Sequence, residues 1–217
     1  MSVPVSWSNM RRIRIGALAS GGGTNLQAII DSCERGEIDG DVVVVISNIP
    51  EAYALERARK HGIDAFAFPH KGVTREQHEA DIVECLEQHK VDLVVLAGYL
   101  RMLTPFMINK YLGRMMNTHP ALLPSFGGEG MHGLNVHQAV LDYGCKVSGC
   151  SIHFVTVDVD GGQIILQKAL PVLEDDTAET LQERVLKEEH RLLPRAIQLF
   201  AQGKLKIDGR KCHVLET

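Results

Sequence analysis

Residues 13–30 read IRIGALASGGGTNLQAII, and this stretch decides the fold class of the chain. Ile13 to Ala19 is a short, mostly apolar run typical of a buried strand, and Ser20 to Asn25 is a tight glycine-rich turn. The apolar residues that follow recur at helical spacing, which predicts a helix to about Arg35. A strand, a tight turn and a helix in this order form the start of a βα unit.

The same alternation continues along the first half of the chain. Apolar runs and helical periodicity predict strands over 42–46, 65–68 and 91–97 and helices over 54–61 and 75–89. Strands that alternate with helices at this spacing indicate βαβ units and a parallel sheet.

The second half has a different pattern. It predicts a strand over 114–118, a long loop rich in Gly, Pro and His, a helix over 134–143, a hairpin-like pair of strands over 151–157 and 163–172, and a helix over 177–201. Asp176 and Glu179 have the spacing of a capping box at the start of that last helix. We therefore predict a single-domain, Rossmann-like α/β fold. It has a mostly parallel central sheet flanked by helices, a mixed C-terminal half and a long C-terminal helix. Residues 1–12 are expected to be a loose extension, with one domain over 13–217.

Composition narrows the class of protein. The 217 residues are 45% hydrophobic and 23% charged, the ordinary mixture of a soluble globular protein. The net charge is −4, so a nucleic-acid partner is not expected. We interpret the one basic cluster, which comprises Lys204, Lys206, Arg210 and Lys211, as a solvated tail.

Apolar runs and cysteines indicate the compartment. The longest strictly apolar runs have five residues, whereas a membrane span needs about 20, and Met1 to Arg12 has no apolar signal-peptide core. The five cysteines are odd in number and widely spaced, which favours reduced thiols over a disulfide framework or a zinc site. A cytoplasmic protein without membrane contact is expected.

The glycine turn is a candidate anion site. Backbone N–H groups at a helix start, together with the helix dipole, bind anions, and glycine permits close approach. The Walker pattern is absent, the dinucleotide pattern fails at Leu26, and Ser47-Asn48 ends the second strand without an acidic residue. A compact monophosphate ester fits better than NAD or ATP, although a plain βα turn remains an alternative.

Asn117 and His119 form a second candidate site. They alternate within the extended segment 116–125, MNTHPALLPS, so their side chains point to the same side. If Asp160 faces His119, its charge would favour the imidazolium form. An amide donor, a proton carrier and a carboxylate suit acyl-type transfer. No Ser or Cys nucleophile is placed among them, which favours direct attack by a substrate amine. A capping Asn, a structural His and a turn Asp remain the alternatives.

With these motifs the chain resembles the phosphoribosylglycinamide formyltransferases, a folate-dependent family of purine biosynthesis. The resemblance extends from residue 13 to about 214 and rests on segments 20–29 (SGGGTNLQAI), 96–101 (LAGYLR), 117–124 (NTHPALLP), 153–155 (HFV) and 160–165 (DGGQII). The Asn-x-His-Pro and Asp-Gly segments are shared with the wider formyltransferase group, which includes methionyl-tRNA formyltransferases and formyltetrahydrofolate deformylases.

The resemblance implies a role for each candidate residue. It implies catalysis by Asn117, His119 and Asp160. The ribonucleotide would be bound by Gly23, Thr24, Asn25 and Glu189, and the folate by Arg75, Leu100, Arg101, Met102, Leu103 and Asn117. It further implies 10-formyltetrahydrofolate as cosubstrate, glycinamide ribonucleotide as acceptor, no metal, and a monomer or weak homodimer.

Two further features have interpretations of their own. Glu189 lies four residues from both Val185 and Leu193, within an apolar stripe, so it needs a partner such as a substrate hydroxyl, a substrate amine or an internal Arg. His132 and His137, in and beside the glycine-rich loop 126–133, lack the spacing of a helical zinc pair and are interpreted as loop or substrate-contact residues.

Three alternative functions are considered. A formyltetrahydrofolate deformylase would carry an extra N-terminal domain, whereas about twelve residues precede the first predicted strand. A tRNA formyltransferase would need a further C-terminal domain and a basic surface. A non-catalytic sugar-phosphate binding module would keep the glycine turn but would have no use for Asn117, His119 and Asp160 together.

Overall fold

A seven-stranded sheet with helices on both faces organises the chain in the computed structural model, which describes residues 12–215. The expected loose extension lies outside the described residues except for Arg12, whose guanidinium pairs with Asp41 at 2.8 Å. The strands are β1 (Ile13–Leu18), β2 (Gly40–Ser47), β3 (Asp64–Ala67), β4 (Leu93–Leu96), β5 (Met115–His119), β6 (Val147–Phe154), β7 (Ile164–Pro171), β8 (Leu205–Asp208) and β9 (Lys211–Val214). The helices are α1 (Thr24–Glu34), α2 (Tyr53–Lys60), α3 (Arg75–Gln88), α4 (Pro105–Lys110), α5 (Leu134–Asp142) and α6 (Ala178–Ala201).

The strand order is β3-β2-β1-β4-β5-β6-β7. The first five of these strands are parallel, and β6 and β7 are antiparallel to their neighbours. The predicted α/β fold, with a mostly parallel sheet and a mixed C-terminal half, is therefore confirmed. The 24-residue α6 confirms the predicted long C-terminal helix.

Alternating residues of the central strands supply two separate cores. On β1, Ile15 and Ala17 pack with α1 and α6, whereas Leu18 packs on the other face with α3 and α4. On β2, Val45 belongs to the first core and Val44 to the second. Because both faces of these strands are covered, they are nearly continuous apolar runs.

The strand order reverses between β1 and β4, which lie side by side. In open α/β sheets, ligands bind at such a switch point, beyond the carboxyl ends of the strands. The glycine turn follows β1 and the segment 98–103 follows β4, and the Ser20 N–H donates to the Gly98 carbonyl at 3.0 Å. The fold thus brings two of the sequence motifs together.

Three local expectations are corrected. The N-cap of α6 is Thr177, which forms a capping box with Thr180 and not the Asp176–Glu179 pair expected from spacing. The short helix α4 was not predicted, although Thr-Pro at its start is a typical N-cap and N1 pair. The basic segment, interpreted as a solvated tail, is largely exposed, but it is part of a hairpin formed by β8 and β9. Arg210, in the turn of that hairpin, donates from its guanidinium to the Gly161 carbonyl.

Two observations bear on the expected environment. In the described part of the chain, no helix is long and apolar enough to cross a membrane. All five cysteines are free thiols.

The corrected cap gives a stability prediction. Thr177→Ala should lower the free energy of unfolding by about 1 kcal/mol, because the α6 N-terminus loses the side-chain oxygen that accepts from the Thr180 N–H. Urea unfolding measures the change. Glu179→Ala, at an exposed position of the first turn, should cost under about 0.5 kcal/mol. An equal or larger loss for Glu179→Ala would favour the box expected from sequence.

Candidate active site

A cleft of about 750 Å³ opens at the switch point, beside the ends of β1, β4 and β5. Most of the residues expected to bind or react line it: Thr24, Asn25, Leu100, Arg101, Met102, Leu103, Asn117, His119, Asp160 and Glu189. Gly23 and Arg75 are not among the lining residues. The structure therefore brings ten of the twelve expected residues into one cavity.

Asn117 is held by a histidine on the neighbouring strand. Its amide nitrogen lies 3.3 Å from His153 Nε2, and the two residues are direct partners in the β5–β6 pairing. His153 Nδ1 lies 2.9 Å from the Phe154 carbonyl, which only accepts, so Nδ1 carries the proton. Burial lowers the pKa of His153 and favours the neutral ring. Its Nε2 therefore accepts one Asn117 N–H, and the second N–H is left to donate to a ligand.

His119 lies between a loop carbonyl and a carboxylate. Its Nε2 is 2.7 Å from the Phe126 carbonyl and must donate there, because a carbonyl has no proton. Its Nδ1 is 3.5 Å from Asp160 Oδ2. The ring is nearly buried, so its orientation is fixed by these two neighbours.

Asp160 has both the roles that its sequence position suggested. It lies in a turn closed by a hydrogen bond from the Gly161 N–H to the Asp158 carbonyl at 2.9 Å, with a left-handed backbone at φ 50°. Its side chain accepts from the Gly128 N–H at 2.9 Å and also lies 3.6 Å from His153 Nε2. One carboxylate thus contacts the glycine-rich loop, β5 and β6.

Glu189 is buried on α6 and has an unexpected partner. Asn25, at the start of α1, donates from its amide nitrogen to the carboxylate at 2.9 Å. Neither an internal Arg nor a substrate group is needed for that contact. Burial raises the pKa of Glu189 to about 6, and the hydrogen bond from Asn25 opposes part of that rise.

The glycine turn presents the free N–H groups of the first turn of α1. Gly23 is the N-cap at φ 69°, and a Cβ there would lie 2.9 Å from the Ala54 Cα. Glycine is therefore required at position 23 for packing as well as for any approach by a ligand. Thr24 and Asn25 follow it into the cleft, where helix N–H groups can bind an anion.

The segment 100–103 forms an apolar wall of the cleft. Leu100 and Met102 are 64% and 50% exposed, and Val157 and Val159, which also line the cavity, are 56% and 45% exposed. Large apolar side chains left open in a cavity suit a flat, partly aromatic ligand. Arg75 lies at the first position of α3, exposed and outside this wall.

Sequence reasoning missed the role of one histidine that the structure places in the cleft, His153. His153 was noted only as part of a resembling segment; a lone histidine in a buried strand was its one signal. His137 is buried with its Nδ1 unpartnered, and burial, together with the nearby His119, lowers its pKa to about 4. Both His132 and His137 line the cleft, and a contact between either of them and a substrate stays a prediction. Within residues 12–215, no group of three or more His, Cys, Asp or Glu side chains is placed to hold a metal ion.

Comparisons with known proteins show the family of the chain. Residues 13–197 match a family model described as formyl transferase. Phosphoribosylglycinamide formyltransferase from Escherichia coli (strain K12) is 40% identical over 200 residues, and the match covers 90% of both chains. Glycinamide ribonucleotide transformylase 1 from Symbiobacterium toebii has a crystal structure that superimposes with a TM-score of 0.91 at 48% identity, covering 96% of each chain.

A longer relative carries a similar region. The trifunctional purine biosynthetic protein adenosine-3 from Bos taurus is 44% identical over 209 residues, which is 95% of this chain. The match covers 20% of that protein, so the chain spans about a fifth of the length of this relative.

The buried carboxylate gives a prediction about pH. The pKa of Glu189 is higher in the folded protein than the 4.5 of a free side chain, so its contribution to stability is lost as the pH rises from about 4.5 to about 6. At pH 8, the free energy of unfolding of Glu189→Gln should therefore be about 2 kcal/mol higher than that of the unmodified protein. The difference should vanish near pH 4.5. Urea unfolding at the two pH values measures it. Glu183→Gln, exposed on the same helix, is the control, and an equal response in both variants would contradict the burial argument.

Proposed function

The chain belongs to the formyl transferase family, and on that premise we propose that it transfers a formyl group from 10-formyltetrahydrofolate to the amine of glycinamide ribonucleotide. One observation carries the proposal. Asn117, His119 and Asp160 come from two separate parts of the sequence and meet in one cleft, which is also lined by residues of the glycine turn and of segment 100–103. Folate is a cosubstrate here, and the chemistry needs no metal.

The reaction is a direct transfer. The amine nitrogen attacks the formyl carbon, and the carbonyl oxygen becomes an oxyanion. Collapse of the tetrahedral intermediate re-forms the C=O bond, breaks the bond to N10 of the folate, and leaves the formyl group on the amine. One proton leaves the amine and one is delivered to N10, so the exchange is balanced.

Asn117 stabilises the oxyanion. Since His153 accepts one of its N–H groups, the other has a fixed direction before substrate arrives. A donor that is already oriented needs no reorganisation as charge develops, which is why such donors lower the barrier strongly.

His119 carries the proton. Its Nε2 is engaged by the Phe126 carbonyl, so Nδ1 is the nitrogen that exchanges a proton. Asp160, 3.5 Å from Nδ1, stabilises the imidazolium formed when the ring accepts the proton from the amine. The ring then returns the proton to N10.

The two substrates occupy neighbouring parts of the cleft. The ribonucleotide phosphate lies at the N-terminus of α1, and Glu189 accepts from a ribose hydroxyl close to Asn25. The folate ring lies against Leu100 to Leu103. Arg75 and Arg101 interact with its anionic glutamate tail, for which the exposed position of Arg75, outside the cavity, is suitable.

We further propose a cytoplasmic enzyme, in keeping with its free thiols, that acts as a monomer or weak homodimer. The domain boundary proposed at residue 13 coincides with the start of β1. Deformylase activity is the alternative, because water could replace the amine at the formyl carbon.

A coupled measurement separates these two reactions. Folate product, followed by absorbance, should appear only when glycinamide ribonucleotide is present, since the attacking group is the substrate amine. The control is the same assay without ribonucleotide. Equal turnover in its absence would identify a hydrolase.

The proposed catalytic trio, Asn117, His119 and Asp160, gives a kinetic prediction. Asn117→Ala should lower kcat about 10²–10³-fold, and His119→Ala about 10²–10⁴-fold. The double variant should lose much less than the product of the single losses, because both groups act on one transition state. Ser148→Ala, a small change on β6 away from the cleft lining, serves as the control. Multiplicative losses would show that the two residues act independently.

A further inference from the structure

Segment 100–103, the apolar wall proposed to bind the folate, is irregular, and a buried side chain holds each of its ends. Leu100 to Leu103 has no helix or strand of its own and lies between β4 and α4. Its apolar side chains are open to the cleft. A segment so exposed keeps one conformation only if its ends are fixed.

Ser20 fixes the first end. Its hydroxyl accepts from the Leu100 N–H at 2.9 Å and donates to the Asn48 side-chain oxygen at 2.6 Å. Ser20 is 4% exposed and belongs to the glycine turn, so it is not part of the wall itself. Asn48, at the end of β2, orients the hydroxyl so that its lone pair faces Leu100.

Glu79 fixes the second end. Its carboxylate accepts from the Thr104 N–H at 2.7 Å and also from the Thr104 hydroxyl. Glu79 is 1% exposed on α3, one helical turn after Arg75. A buried carboxylate needs such donors, and charge-assisted bonds of this kind are stronger than neutral ones.

From these contacts we propose that Ser20 and Glu79 are positioning residues for the folate, acting by holding both ends of segment 100–103. The inference rests on the proposed function. Neither side chain lines the cleft. Ser20 acts through the Leu100 N–H, and Glu79 acts through the N–H of Thr104, directly after the segment. The wall is therefore already in its binding conformation before the ligand arrives, and that lowers the cost of binding.

The anchors also relate the two substrate sites to each other. Ser20 ties the folate segment to the turn expected to bind phosphate, and Glu79 ties it to the helix that begins at Arg75. The distance between the two substrates is therefore set by two short hydrogen-bonded contacts and not by the exposed segment itself.

The test compares Ser20→Ala and Glu79→Ala with the unmodified protein. Each should raise the KM for folate about fivefold to tenfold, the effect expected from one lost buried hydrogen bond, with a smaller change in the KM for ribonucleotide. Glu79→Gln should recover most of the affinity because its amide oxygen can still accept from the Thr104 N–H. Ser148→Ala is the matched control: it removes another buried serine hydroxyl, one that has no partner among residues 12–215.

A second readout needs no substrate. Hydrogen exchange of a peptide spanning 98–105 should be faster in Ser20→Ala and Glu79→Ala than in Ser148→Ala, because the anchored amides open more often. If Glu79→Ala does not fold, Thr104→Val takes its place in both measurements. That variant removes the Thr104 hydroxyl, which also donates to the Glu79 carboxylate, and so weakens the same anchor.

The outcomes distinguish two failures. If the unmodified protein neither binds folate nor forms product, the proposed function is wrong and the anchoring role is overturned with it. If the unmodified protein is active but Ser20→Ala and Glu79→Ala match Ser148→Ala in folate KM and in exchange, only the anchoring role is overturned.

Discussion

The carboxylate of Asp160 is the contact on which the arrangement of the cleft depends. A largely buried carboxylate is costly unless polar groups surround it, and here they come from three parts of the chain. The Gly128 N–H donates to Asp160, and the rings of His119 and His153 lie 3.5 Å and 3.6 Å from its oxygens. To bring them together, the chain places Asp160 in a left-handed turn at φ 50°. The need to satisfy one charge therefore positions the glycine-rich loop against β5 and β6, and with it His119 and Asn117, the proposed proton carrier and amide donor.

At the same site, backbone carbonyls determine which ring nitrogens of His153 and His119 carry protons. The Phe154 carbonyl requires the proton on His153 Nδ1, the resulting Nε2 lone pair orients Asn117, and the Phe126 carbonyl requires the proton on His119 Nε2. Each step depends on a carbonyl that can only accept. Backbone groups, which side-chain substitution does not remove, thus set the direction in which the reactive side chains act.

The sequence predicted what local patterns control. Two-sided burial makes β1, β2 and β4 recognisable as apolar runs, and the trio was found because Asn117 and His119 lie two residues apart on one strand. Contacts between distant segments have no local pattern. Asn25 and Glu189 are 164 residues apart, so Glu189 was expected to need a partner but the partner could not be named. Ser20 belongs to the glycine turn and Glu79 to no motif, neither lines the cleft, and only the fold brings them to segment 100–103.

Unsatisfied groups gather where a ligand is expected. Among the residues that the structure describes, seven buried side-chain atoms lack a partner, and four of them belong to residues that line the cleft: Asn25 Oδ1, Tyr99 Oη, Thr118 Oγ1 and His137 Nδ1. Such atoms destabilise a fold by leaving hydrogen bonds unmade. The burial that raises the pKa of Glu189 is a cost of the same kind. Folding alone would favour apolar residues at these positions, whereas a polar substrate with a ribose and an amide would supply the missing partners, so the stability lost in the free protein becomes affinity when the substrate binds.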